Sequence, residues 1–175
     1  MKKIIRRTKL SVNQKSLLEG IHPLLAEIYT LRGITNLDEV DYGLSKLFSY
    51  EKLKGISTIV SRLENAIINQ KKVIIIGDFD VDGATSTVLA LKVLKQFGLQ
   101  NISYLIPNRF EYGYGLSPEI VAAAAIQKPD VIVTVDNGIA SLDGVLAAQK
   151  LGIEVLITDH HLAGSELPKA AAIVL

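Results

Sequence analysis

Three β-branched runs in this chain each stop at acid: VIIIG at 73–77 leads into Asp78, Asp80 and Asp82, VIVTV at 131–135 into Asp136, and EVLIT at 154–158 into Asp159-His160-His161. Between and after them the spacing predicts helices over about 84–97, 118–127 and 141–151, with a further strand ISYLI at 102–106 and a fifth beginning in AAIVL at 171–175. Repeated β-α-β units of this length predict an α/β fold. They imply a parallel sheet with helices on both faces, which is why its strands read as unbroken apolar runs.

In such sheets the ligand crevice lies beyond the carboxyl ends of the strands, where all five of these acids fall. Two carboxylates about 5 Å apart at an effective dielectric near 20 repel by roughly 3 kcal/mol, and a cluster holds several such pairs. Divalent ions relieve that repulsion. Carboxylates suit Mg²⁺, and imidazole among the donors admits Mn²⁺ as well, so one or two ions are expected. A lone acid after a strand is ordinarily a loop residue or a helix cap. Five such acids after three strands are not.

The first motif, DFDVDG, places carboxylates at alternate positions, so an extended segment would set Asp78, Asp80 and Asp82 on one side. Gly83 would turn the chain into a helix whose Thr85 and Ser86 meet an anion at its N-terminus. The paired glycines of a dinucleotide-binding loop and the Gly-Lys-Ser/Thr of a P-loop are missing there. In the second motif Asn137-Gly138 reads as a turn, which leaves Asp136 unexplained except as a ligand placed to bridge two ions. The third motif holds two of the chain's three histidines. His22, in a helical segment, is assigned no role.

The 175 residues lack cysteine, which removes disulfides, zinc–thiolate sites and thiol nucleophiles from consideration. No apolar stretch approaches the roughly 20 residues that cross a bilayer, and MKKIIRRTKL has no signal-peptide core, so the cytoplasm is the expected location. Net charge is +1, but Lys2, Lys3, Arg6, Arg7, Lys9 and Lys15 give residues 1–18 a charge of +6 and leave −5 for the rest. Such an arm suits a phosphate backbone, but on charge alone a solvated terminus is the commoner reading. Helical spacing over about 14–31, 37–48 (Asn36 as N-cap) and 56–70 predicts a helical preface, so residues 1–71 form the arm and preface and 72–175 the sheet domain. Ser117-Pro118-Glu119 is a well-formed helix start. The chain stops at Leu175 directly after an apolar run, which reads as the front part of a longer protein.

With GDFDVDGATST at 77–87, PNRFEYGYGLS at 107–117, VTVDNG at 133–138 and TDHHL at 158–162 in this order, the chain resembles the DHH phosphoesterase superfamily. Within it the likeness is to single-strand-specific DNA exonucleases. The resemblance implies a metal-dependent phosphodiesterase acting 5′ to 3′ in DNA repair and recombination. Its cofactors would be two Mn²⁺ or Mg²⁺ ions, and its partners single-stranded DNA and DNA-repair proteins. Position by position it makes Asp80, Asp82, Asp136 and His160 metal ligands, and His161 the contact to the scissile phosphate. Asp78 and Asp159 become further catalytic acids, and Arg109 a ligand of substrate phosphate. Tyr112 and Tyr114 are candidates to stack on bases. The family's fourth motif and C-terminal domain do not occur before Leu175. Competing readings are a haloacid-dehalogenase-like phosphatase, a signalling receiver domain, a small-nucleotide member of the same superfamily, and a nucleic-acid-binding fragment without catalysis.

Overall fold

A computed structural model describes residues 20–175, Arg109 by its backbone alone. The basic arm and the helical expectation for residues 14–19 lie outside the described residues. The chain divides into two compact units, residues 1–48 and 49–175.

In the first unit the described helix is α1 (Pro23–Leu31), shorter than the spacing implied. Pro23 occupies the first helical turn, and His22 caps it by accepting from Leu24 N at 3.3 Å. The helix expected over 37–48 is instead two short 3₁₀ turns, Leu37–Val40 and Leu44–Lys46. Asn36 does cap the first of them, in a reciprocal pair with Glu39. Asp41 then accepts from Gly43 N at 2.9 Å, a local turn that competes with continuing the helix.

The second unit opens with a 3₁₀ turn at Tyr50–Lys52 and runs α2 (Ile56–Ile68), β1 (Val73–Ile76), α3 (Val81–Gln96), β2 (Ile102–Leu105), α4 (Arg109–Tyr112), α5 (Pro118–Ala125), β3 (Val131–Val135), α6 (Leu142–Lys150), β4 (Glu154–Thr158) and β5 (Ala172–Val174). All five strands are parallel, in the order β2-β1-β3-β4-β5. Side chains alternate across this sheet. Val73, Ile75, Val131, Val133 and Leu156 pack with Ile59 and Ala66 of α2 and Leu94 of α3 on one face. Ile74, Ile76, Ile132, Val155 and Ile157 pack with Ile120 and Val121 of α5 and Val145 of α6 on the other. Both faces of β1 and β3 are therefore buried along their full length. Helix α2, expected in the preface, contributes to the same core as the sheet.

Two consequences position the site. The chain leaves β1 for β2 and returns to β3 on β1's other side, so the order reverses between β1 and β3, where parallel sheets open their crevice. The register pairs Val73 with Val131 and Val131 with Glu154, and carrying it past the strand ends sets Asp78, Asp136 and Asp159 level. Three neighbouring strands thus deliver one carboxylate each to the same rim. No helix among the described residues is long and apolar enough to cross a membrane.

Candidate metal centre

The rim begins with a close crossing of β1 and α3. Asp80 is the N-cap of α3 and accepts from Gly83 N at 3.1 Å, so the helix starts at Val81, three residues before the position the sequence suggested. A Cβ on Gly83 would lie 2.4–2.6 Å from the backbone of Asp78, and one on Gly77 would lie 2.1 Å from Thr87 Oγ1. Neither glycine has a positive φ; both are needed for approach rather than for turning. The premise that Asp78, Asp80 and Asp82 share one side of an extended segment is therefore corrected, because Asp82 sits in the first turn of α3.

Asp136 adopts a left-handed conformation, φ 62°, a strained geometry for a residue with a side chain, costing on the order of 1–3 kcal/mol. Its neighbours hold it there. Its N–H donates to Thr158 O at 3.0 Å. Asn137, 1 % exposed, donates from Nδ2 to Ile76 O and to Val135 O, both at 3.0 Å, and so ties β1 to β3 at the crevice. Sequence reasoning passed over Asn137 because Asn-Gly is so often only a turn.

Among the described residues two sets of three donor groups result, each with ligand atoms within 4.8 Å of one another: Asp78, Asp80 and Asp136, and Asp136, His160 and His161. Asp136 belongs to both. Burial pushes its carboxyl above the ordinary range, and the charge of Asp80 adds to this against the relief given by His160, whose Nε2 lies 2.9 Å from Asp136 Oδ1. Crowded, half-desolvated carboxylates of this kind are what a divalent cation neutralises. The donors, carboxylate oxygens with imidazole, fit Mg²⁺ or Mn²⁺.

Asp82 falls outside both donor sets. It lines an open cleft of about 310 Å³ with Thr85 and Ser86 of α3, Asp136, Thr158, Asp159 and His160. Asp159 is committed to its neighbours: Oδ2 accepts from Ile139 N at 2.9 Å, and Oδ1 accepts from His161 N at 3.1 Å and lies 2.7 Å from His161 Nδ1. Burial alone would raise its carboxyl, but these hydrogen bonds outweigh it and hold the group below the ordinary value. The same bond to Asp159 raises His161 above the usual imidazole range. The pairing of Asp159 with His161 favours the protonated form of the imidazole.

Tyr114, expected to meet bases, has its hydroxyl drawn into the rim, 3.2 Å from Asp136 O and 3.2 Å from His161 Nδ1, with the two rings edge to face. The residue as a whole remains 48 % exposed. Burial, together with the charges of Asp159, Asp78, Asp136 and Asp80, pushes the phenol up to about 12, so it stays a neutral donor. Nothing in the sequence flagged this tie. Tyr112 is 40 % exposed. Arg109 opens α4, and its side chain lies outside the described part of the molecule.

Residues 72–175 match the DHH family, N-terminal domain. The chain is similar to the single-stranded-DNA-specific exonuclease RecJ of Escherichia coli, 43 % identical over 175 residues, covering 99 % of this chain and 30 % of that protein. It is 45 % identical to RecJ of Dickeya dadantii over 161 residues, covering 92 % of this chain and 28 % of that one. A crystal structure of exonuclease RecJ bound to manganese superposes with a TM-score of 0.66 at 32 % identity, covering 73 % of this chain and 32 % of that one. The chain therefore spans less than a third of the length of the curated relatives it matches.

Proposed function

Because this chain belongs to the DHH family, we propose that it is the N-terminal catalytic part of a metal-dependent phosphodiesterase, a single-stranded-DNA-specific exonuclease of RecJ type. The observation that carries the reading is the sharing of Asp136 between two donor sets at the crevice of the sheet. Strand order alone would also suit a receiver domain, since flavodoxin-like sheets have the same 2-1-3-4-5 order. The Asp-His-His step after β4 and the family match favour the phosphodiesterase.

In this reading Asp78, Asp80 and Asp136 would hold one ion, and Asp136 and His160 would hold a second, with Asp82 lining the same cleft. Two Mn²⁺ or Mg²⁺ ions are proposed, in keeping with the manganese of the superposed relative. Bound there, such ions supply Lewis acidity toward a water and the scissile phosphate. The chain's own residues do the rest. Asp159 orients the ring of His161 and favours its protonated form, and that cation faces developing negative charge on the phosphate. Arg109 contacts substrate phosphate through its planar fork.

Polarity from the 5′ end, a place in DNA repair and recombination, association with repair proteins and a cytoplasmic location belong to the same proposal and rest on the RecJ likeness. The test is digestion by the full-length protein of single-stranded and duplex DNA labelled at either end. Mononucleotides should appear from single strands only, from the 5′ end, and only with Mn²⁺ or Mg²⁺. Equal digestion of duplex, or hydrolysis that survives chelation, contradicts the reading. Cleavage of dinucleotides with no action on longer strands would move the protein to the small-nucleotide branch.

A further inference from the structure

At its carboxyl end the sheet is held unequally on the two sides of β3. Toward β4 the pairing runs to Val135 with Thr158, and one step further Asp136 N donates to Thr158 O at 3.0 Å. Toward β1 the pairing stops a residue earlier, at Ile76 with Thr134. That is the side on which the crevice opens. Asp78 and Asp80 follow β1 and Asp136 follows β3, and their ligand atoms lie within 4.8 Å of one another. Like charges that close repel, and beyond the last strand pair the repulsion acts to widen the gap.

One side chain bridges it. The two hydrogens of Asn137 Nδ2 go to one carbonyl on each strand, Ile76 O and Val135 O, both at 3.0 Å. These carbonyls stand shortly before Asp78 on one side and directly before Asp136 on the other. Asn137 Oδ1 is buried and finds no donor among the described residues, which is unfavourable for an acceptor taken out of water. The opposite orientation of the amide would set that oxygen against two carbonyl oxygens. The position therefore uses the amide for its two N–H groups. At the amino end of the same two strands the side-chain tie is a carboxylate, Asp130 accepting from Lys72 N. Among the acids of the rim, a neutral donor is the tie that adds no charge.

Resting on the two-ion reading above, we infer that Asn137 is a positioning residue for the ion assigned to Asp78, Asp80 and Asp136. Its amide keeps β1 and β3 together past their last pair and so fixes the spacing of that donor set. Neither of its bonds reaches β4, so the set formed by Asp136, His160 and His161 is held independently, by the longer β3–β4 pairing.

The experiment is calorimetric titration of the full-length protein with Mn²⁺. The wild type should bind two ions. Asn137→Leu nearly keeps the side-chain volume and removes both donors, and Asn137→Ser leaves a single hydroxyl. Each should weaken one ion by about 10- to 100-fold, the usual effect of losing a group that supports ligands, and leave the other at wild-type affinity. Asp80→Asn, which can still cap α3, marks the ion concerned: it should weaken the same one, and Asn137→Leu added to it should cost little further. A general loosening of the fold would instead weaken both ions, or add to Asp80→Asn in full. Circular dichroism reads whether the variants fold, and if Asn137→Leu does not, Asn137→Ser decides. Folded variants that bind both ions as the wild type does, equal weakening of the two ions, full additivity with Asp80→Asn, or loss of folding in both variants overturns this inference alone. A wild type that takes up fewer than two Mn²⁺ ions overturns the two-ion reading and this inference with it.

Discussion

The two ends of the sheet use the same residue types to opposite effect. At the amino end, Asp130 accepts from Lys72 N at 2.7 Å while its own N–H donates to Lys72 O at 2.8 Å, and Glu154 pairs with Arg62 at 3.4 Å and Lys71 at 3.6 Å. Each acid there meets a backbone donor or a cation, and neither belongs to a cluster of donor groups among the described residues. At the carboxyl end, Asp78, Asp80 and Asp136 meet one another, and the ion pairs of Asp136 and Asp159 are made with histidines. A balanced acid holds the fold together; a crowded one favours a bound cation.

The largest effect should come from the shared carboxylate. Asp136→Ala removes a donor from both sets and should lower hydrolysis by the full-length protein by about 10³-fold or more. A turnover assay with Mn²⁺ reads this directly, and retention of substantial activity would break the contrast at its strongest point. Gly83→Ala comes next. Its Cβ cannot coexist with the Asp78 backbone, so α3 must shift off β1, at a cost of about 1–3 kcal/mol in a denaturant melt and with loss of activity beyond that.

Asp159→Asn should cost about 10- to 100-fold, the usual range for a group that orients another. The accompanying titration has a definite sign. His161 is raised above 6.5 by Asp159, so this pairing favours the folded metal-free protein fully below pH 6.5 and fades as pH climbs through the raised value. Asp159 is held below 3.8, so its share is present above that pH and is lost as pH falls through the depressed value. In proton NMR the His161 midpoint should therefore drop in Asp159→Asn; an unchanged midpoint would detach the two residues. The smallest effect is expected at the other end of the sheet. Asp130→Asn should cost about 1 kcal/mol of stability and leave turnover as it was.

The carboxyl-end half of this contrast was legible in the sequence, because strand-terminal acids are counted by position alone and the β-branched runs placed the strands to within a residue. What escaped reading has physical causes. Gly83 signalled only that a side chain is missing; whether the gap serves a turn or a close crossing depends on the strand that α3 crosses, and Asp82 was misplaced with it. Residues 37–48 have helical spacing, but Asp41 and Gly43 satisfy the backbone locally and divert it into 3₁₀ turns. Asn137 and the hydroxyl of Tyr114 act across distances of 61 and 47 residues, to Ile76 and His161, and no local pattern announces such contacts. The fold, in turn, adds what spacing never states, that β1, β3 and β4 are neighbours and in register at their acids.

In the proposed reading one carboxylate, Asp136, serves two ion sites. Calorimetric titration of the full-length protein with Mn²⁺ tests it most directly. The wild type should take up two ions per chain, and Asp136→Asn should lose both at concentrations that saturate the wild type. Two ions bound by Asp136→Asn with unchanged affinity would contradict the claim.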